Sequence, residues 1–143
     1  MTFTSDKEIA RIYAGLINQT LPKSDWTHAA HFAAAAAMLA DHTTDAFKSM
    51  PGVIRAYNLA TGVENTDTDG YHHTITVASL MAAQHVLKSA PATQALFETT
   101  NDILISAYGN PKWLLRFWTE DILFSVEARR VWVGPNIQVL PFR

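Results

Sequence analysis

Apolar residues recur at helical spacing from the start of the chain. Between Ser5 and Pro22, isoleucine, tyrosine and leucine side chains repeat with the period of one helix face, which predicts an amphipathic first helix. Ser5 followed by Glu8 has the spacing of a capping box, and Pro22 ends the run.

A second helix is predicted from Asp25, as its N-cap, to Asp41. Its segment 33–37 consists only of alanine, a strong helix former with almost no side-chain bulk. Another helix can therefore approach this surface closely, either within the domain or from a second copy of the chain. A homo-oligomer is accordingly one expectation.

The same periodicity predicts further helices over residues 44–61, 71–89, 92–107, 110–118 and 125–131. Pro51 lies inside the first of these and is expected to kink it or to split it after Met50. From Gly134 onward the helical pattern ends, and an extended strap held by Trp132 and Phe142 is expected. We therefore predict an all-α fold, a single-domain helical bundle of about five to seven helices over residues 1–143, with an extended C-terminal strap.

Composition agrees with one well-packed domain and limits the classes of partner and site chemistry it can have. The chain has 143 residues, of which 48% are hydrophobic and 17% charged. A net charge of -2, with scattered Lys and Arg, argues against nucleic acid as a partner. The absence of cysteine excludes disulfides, thiolate metal sites and cysteine nucleophiles.

Membrane association is not expected either. The longest apolar run, residues 32–40, is far shorter than the roughly 20 residues of a spanning helix. Residues 1–7 lack the apolar stretch of a signal peptide, so a cytoplasmic location is predicted.

The candidate chemistry lies in two histidine clusters, Trp26-Thr27-His28-Ala29-Ala30-His31 and Gly70-Tyr71-His72-His73, each at a predicted helix start. Asp25 and Asp69 are the expected N-caps, and His28 and His72 then each lie three residues after a capping aspartate. Imidazole is the side chain best suited to move protons or hold a metal near neutral pH. The two clusters are therefore the candidate functional residues.

Bundle topology is expected to bring the clusters together. Short connections make neighbouring helices antiparallel, so helices two and four run in the same direction and start at the same end. His28 and His72 then become neighbours, and His31 shares a helix face with His28. The third helix finishes at that end, where it carries Tyr57 and Asn58.

One hypothesis is a small enzyme acting on a small molecule. His28, His31 and His72 would bind a divalent transition metal such as zinc, iron, nickel or copper, with an open position for water or substrate. In a metal-free form, His28 or His72 would act as a general base, with Tyr57 as a further catalytic group. The residues predicted to contact the ligand are Trp26, Asn58, Tyr71 and Thr76.

Two other classes of function remain open. A non-catalytic binding module would use the two helix N-termini to hold a carboxylate or phosphate, and an interaction bundle would use the alanine surface. The histidines could also be plain polar residues at solvated helix starts, or buried imidazoles bonded to backbone carbonyls. The sequence does not decide between enzyme, binding module and interaction protein.

Four motifs carry a resemblance to a known family. They are Asp25-Trp26-Thr27-His28-Ala29-Ala30-His31, Arg55-Ala56-Tyr57-Asn58, Gly70-Tyr71-His72-x-Thr74-Ile75-Thr76 and Leu123-Phe124-Ser125-x-Glu127-Ala128-Arg129. Together they resemble a bacterial family of small helical proteins with no established activity. In that family Glu often follows the histidine of the Gly-Tyr-His motif, and here His73 takes its place. This change removes a candidate carboxylate ligand or base.

Overall fold

The computed structural model describes residues 2–142, and this part of the chain is all-helical, with no strand. Its seven α-helices are α1 Asp6–Ile17, α2 His28–Ala40, α3 Ala46–Ala60, α4 His73–Ser89, α5 Leu96–Ile105, α6 Glu120–Leu123 and α7 Val126–Arg130. Three short 3-10 turns accompany them, at Lys23–Asp25, Ala107–Gly109 and Trp113–Arg116. The predicted all-α bundle is confirmed.

Helix α2 is the centre of the bundle. It packs against α1, α3, α4 and α5, and all five alanines of its segment 33–37 are buried. The small alanine side chains let these four helices pack close to the axis of α2. The alanine surface is thus used inside the domain, so it no longer supports the expected homo-oligomer.

Several helix boundaries differ from those predicted. Residues 23–25 form a 3-10 turn, so Thr27 rather than Asp25 caps α2, with its hydroxyl accepting the Ala30 N–H at 3.2 Å. At α4, the imidazole of His72 rather than the carboxylate of Asp69 is the cap. Thr27 and His72 thus take the N–H groups of Ala30 and Ile75 that the aspartates were expected to take.

Pro51 does not split the third helix, because α3 runs without interruption from Ala46 to Ala60. The helix predicted near residues 110–118 is reduced to the 3-10 turn Trp113–Arg116, and the short helix α6 was not predicted.

The chain after α7 forms the predicted strap. Residues 131–142 contain no regular element, and the indole N–H of Trp118 donates to the Val133 carbonyl at 2.9 Å. The Ile137 N–H donates to the Phe117 carbonyl at 2.9 Å. Phe142 is buried at the end of the strap, whereas Trp132 stays partly exposed beside Trp118.

Within residues 2–142, none of the helices combines the length and apolar character needed to cross a membrane.

Candidate functional site

A cavity of about 340 Å³ lies where the start of α2 meets the start of α4. His28, His31 and Phe32 line it from α2, and Ile75 and Ser79 line it from α4. The two helix starts are therefore adjacent, as the bundle topology requires. We call this space the histidine cavity.

The outer wall of the histidine cavity comes from residues 111–124, which bring Trp113, Leu114, Leu123 and Phe124. A smaller chamber of about 60 Å³ adjoins it, shares His31, Ile75 and Ser79, and is lined by Trp26 and Thr76. The combined lining is mostly apolar, with a few polar groups and one exposed cation, Lys112.

His31 lines both chambers and carries one defined acceptor nitrogen. Its Nδ1 lies 2.7 Å from the Thr27 carbonyl, and because a carbonyl only accepts, Nδ1 carries the proton. Its ring stacks on Trp26 with centroids 3.8 Å apart. In the neutral ring Nε2 is thus the lone-pair nitrogen, and stacking holds its direction.

The electrostatics keep His31 neutral. Surrounding protein atoms lower the pKa of His31 to about 4, the Thr27 hydrogen bond opposes this fall, and neighbouring His28 adds slightly to it. The ring nevertheless exposes part of its surface to the cavity, and this contact with solvent weakens the desolvation. The direction of the shift still makes the uncharged imidazole the form present at pH 7.

His28 lines the same cavity, but its ring is bonded to the 3-10 turn Ala107–Gly109. Its Nε2 lies 2.9 Å from the Tyr108 carbonyl, so this nitrogen is the donor. The ring also meets Phe32 edge to face, with centroids 5.2 Å apart. His28 therefore fastens the turn at Ala107–Gly109 to the start of α2.

The structure corrects the role predicted for His72. Its Nε2 donates to the Leu123 carbonyl across 2.7 Å, and its Nδ1 accepts the Ile75 N–H at 3.2 Å. Burial lowers the pKa of His72, and Arg129 lowers it further, although the Leu123 bond opposes them. With both ring nitrogens engaged and the ring buried, His72 is placed as a helix cap behind the cavity wall.

The predicted three-histidine metal site is not assembled in this geometry. Each of the three histidines bonds to a different backbone carbonyl, at Thr27, Tyr108 or Leu123. No group of three or more His, Cys, Asp or Glu suited to a metal ion occurs among residues 2–142.

Tyr57 and Asn58 also point away from the cavity. Tyr57 is fully buried and donates its hydroxyl to the Leu21 carbonyl at 2.8 Å. Asn58 donates to the side-chain oxygen of Asn65 at 3.0 Å and so supports the loop after α3. The predicted catalytic role of Tyr57 is replaced by a packing role, and the predicted ligand contact of Asn58 by loop support.

The predicted ligand contacts divide in two. Trp26 and Thr76 line the smaller chamber. Tyr71 lines neither chamber, and its hydroxyl bonds to His73 Nδ1 at 2.8 Å. Trp113, Lys112 and Phe124 were missed. A helix was predicted over residues 110–118, where the structure has only the 3-10 turn Trp113–Arg116, and α6 was not predicted.

Comparisons with known proteins add no relative: no family model matches this chain, and no curated protein or solved structure is significantly similar to it. The family resemblance carried by the four motifs stays a prediction.

The lowered histidine pKa values predict acid destabilisation. In the unfolded chain His31 and His72 bind protons near their ordinary pKa, whereas the folded protein resists protonation until lower pH. Stability is therefore complete above that ordinary pKa and falls as pH drops below it. Between about pH 7 and pH 5 we expect a loss of up to about 1.4 kcal/mol per pH unit for each such histidine, with a smaller share for solvent-exposed His31.

Urea unfolding measured at several pH values in this window checks the expectation. This pH window lies above the range in which most carboxylates titrate, so the histidines dominate the change. His31→Gln should reduce the slope of unfolding free energy against pH. A slope equal to that of the wild type would show that His31 takes its proton as easily folded as unfolded.

Proposed function

We propose that this protein binds a small, largely apolar organic molecule in the histidine cavity. The observation that carries the proposal is the cavity itself, about 340 Å³ in volume, which joins an apolar lining to the imidazoles of His28 and His31. Such a combination of apolar walls and few oriented polar groups is typical of small-molecule sites.

The polar groups favour a particular head group. His31 Nε2 is an acceptor for a ligand hydroxyl, and Lys112 at the exposed edge attracts an anionic oxygen. None of the residues lining the cavity is acidic. A cationic ligand would find no charged partner there, so an apolar molecule with a hydroxyl or carboxylate head is favoured.

Binding is better supported than proton transfer. A general base works best when its pKa lies near the working pH, and the pKa of His31 is lowered well below that range. His28 and His72 hold backbone carbonyls. Imidazole here therefore supplies a hydrogen bond more readily than it removes a proton.

The anion-binding alternative has weaker support. Thr27 Oγ1 takes the Ala30 N–H at the start of α2, and His72 Nδ1 takes the Ile75 N–H at the start of α4. At each helix start, part of the backbone N–H groups that could bind an anion thus already donates to a side chain of this protein.

Three eight-carbon probes that differ only in their head group test the proposal: octanoate, octanol and octylamine. Calorimetry and the fluorescence of Trp26 and Trp113, which line the cavity, should show binding of octanoate and octanol. Octylamine, a cation at pH 7, should bind at least about tenfold more weakly. Equal binding of all three probes, or of none, would count against the proposal.

A matched pair of variants locates the binding. Ser79 faces both chambers, whereas Ser89 is exposed at the far end of the same helix. Ser79→Leu places a larger side chain in the cavity and should weaken octanoate binding at least about tenfold. Ser89→Leu makes the same change outside it and should leave the affinity unchanged. Equal affinities in both variants would place the probe elsewhere.

A further inference from the structure

A second concave site lies on another face of the molecule. It is a depression of about 190 Å³ between α3, the loop of residues 63–72 and α7. Its main lining residues are Arg55, Arg129, Arg130, Asn65, Asp67 and Tyr71, and we call it the arginine depression. None of them lines the histidine cavity, so the two sites are separate.

The rim of the arginine depression is held by a network centred on Asn65. Its side-chain oxygen accepts from Asn58 and from the Tyr71 N–H, each at 3.0 Å, and its amide donates to the Arg55 carbonyl at 3.1 Å. Gly70 closes the loop with a φ of 79°, and a Cβ there would collide with the Glu64 carbonyl. The loop is therefore ordered before any ligand arrives.

Two of the three guanidinium groups are positioned by the loop without losing their charge to a carboxylate. Arg55 lies over the ring of Tyr71, its guanidinium carbon 4.3 Å from the ring centroid. A stacked guanidinium keeps the N–H groups at its edge available for an anion. Arg129 donates one nitrogen, Nη1, to the carbonyls of Gly70 and Tyr71 at 3.2 and 3.4 Å.

The third guanidinium is paired. Arg130 donates to both carboxylate oxygens of Asp67, at 2.8 and 2.7 Å. Because this pair is largely exposed, it is worth little and can rearrange.

The charges leave a net positive site. Three arginines and one aspartate line it, which gives 3 − 1 = +2. The field reaches neighbouring groups: burial lowers the pKa of His73, and Arg55 lowers it further. A phosphate monoester carries nearly two negative charges at pH 7, so its charge matches that of the site.

We propose that the arginine depression binds the phosphate group of a small phosphorylated molecule. The guanidinium groups come from α3 and from α7, and they meet a tetrahedral anion whose oxygens point in several directions. Arg forms bidentate, charge-assisted bonds to such oxygens. A planar carboxylate has two oxygens and one charge, so it can form fewer bonds to these guanidinium groups.

Calorimetric titration at constant ionic strength tests the proposal with inorganic phosphate, glycerol 3-phosphate and acetate. Phosphate and glycerol 3-phosphate should bind, and acetate should bind at least about tenfold more weakly. Tighter binding of glycerol 3-phosphate than of phosphate would identify a monoester site, and the reverse would identify a site for the free ion. Acetate binding as tightly as phosphate would overturn the proposal. So would phosphate and glycerol 3-phosphate titrations that release no more heat than a control titration with chloride.

Substitutions assign the binding to the depression. Arg55→Gln should weaken phosphate binding at least about tenfold, and Arg55→Lys, which keeps the charge but loses the planar fork, should fall between it and the wild type. Asp67→Asn removes the one opposing charge and should tighten binding several-fold. Arg116→Gln, at an exposed position outside the depression, is the control and should change nothing. Equal affinity of the wild type and Arg55→Gln would contradict the assignment.

Discussion

Replacement of His72 by alanine is expected to lower the free energy of unfolding by about 3 kcal/mol. The imidazole joins two parts of the fold, since it accepts the Ile75 N–H at the start of α4 and donates to the Leu123 carbonyl 51 residues away. Alanine removes the cap, leaves the Leu123 carbonyl without its donor and opens space in the core. Urea denaturation followed by circular dichroism at pH 7 measures the loss.

The neighbouring histidine provides the control. His73 bonds through Nδ1 to the Tyr71 hydroxyl and is less buried than His72, so His73→Ala should cost about 1 kcal/mol or less. His72→Asn tests the two contributions separately, because asparagine is a good N-cap but is too short to reach Leu123. It should recover about 1 kcal/mol of the loss. Similar losses for His72→Ala and His73→Ala would show that His72 does not join the two segments.

The behaviour of His72 shows where prediction from the sequence succeeds and where it stops. Helical periodicity was sufficient to predict the bundle and to indicate that the two histidine clusters begin neighbouring helices. It could not assign the cap of α4, because imidazole is not among the favoured cap residues. The choice of His72 over Asp69 depends on the Leu123 carbonyl, a contact that no local pattern contains.

The candidate site was predictable to a similar extent. Trp26, His28, His31 and Thr76 do line adjoining chambers. Helix phase places His28 and His31 on one face of α2 and Thr76 on α4, whereas Trp26 lies just before α2 and stacks on His31. Tyr57 was assigned to the same end of the bundle, but its side chain points towards Leu21. Position along a helix axis is thus easier to predict than side-chain direction.

The outer wall of the cavity escaped prediction for a different reason. Residues 107–125 form two 3-10 turns and the short helix α6, and their conformation depends on tertiary contacts such as the bond between His28 and the Tyr108 carbonyl. Arg55, Asp67 and Arg130 likewise come together only because the loop folds back onto α7. Sites assembled from irregular segments require tertiary contacts that periodicity does not encode.

The packing of α2 leads to the second large effect. Ala34 is fully buried on a helix that packs against four others, so Ala34→Leu must fit three more carbon atoms into occupied space. We expect a loss of about 3 kcal/mol in unfolding free energy. Ala40→Leu is the control, because Ala40 is exposed at the end of the same helix, and it should change stability by about 0.5 kcal/mol or less.

Thermal unfolding of the two leucine variants separates packing from helix propensity. Leucine and alanine both favour helices, so propensity alone predicts similar Tm values for Ala34→Leu and Ala40→Leu, whereas close packing predicts a much lower Tm for Ala34→Leu. His31 lies one turn before Ala34 on α2, and a displaced helix would move its ring within the cavity. Ala34→Leu should therefore also weaken octanoate binding. If Ala34→Leu were as stable as the wild type, α2 would be packed more loosely than its burial indicates.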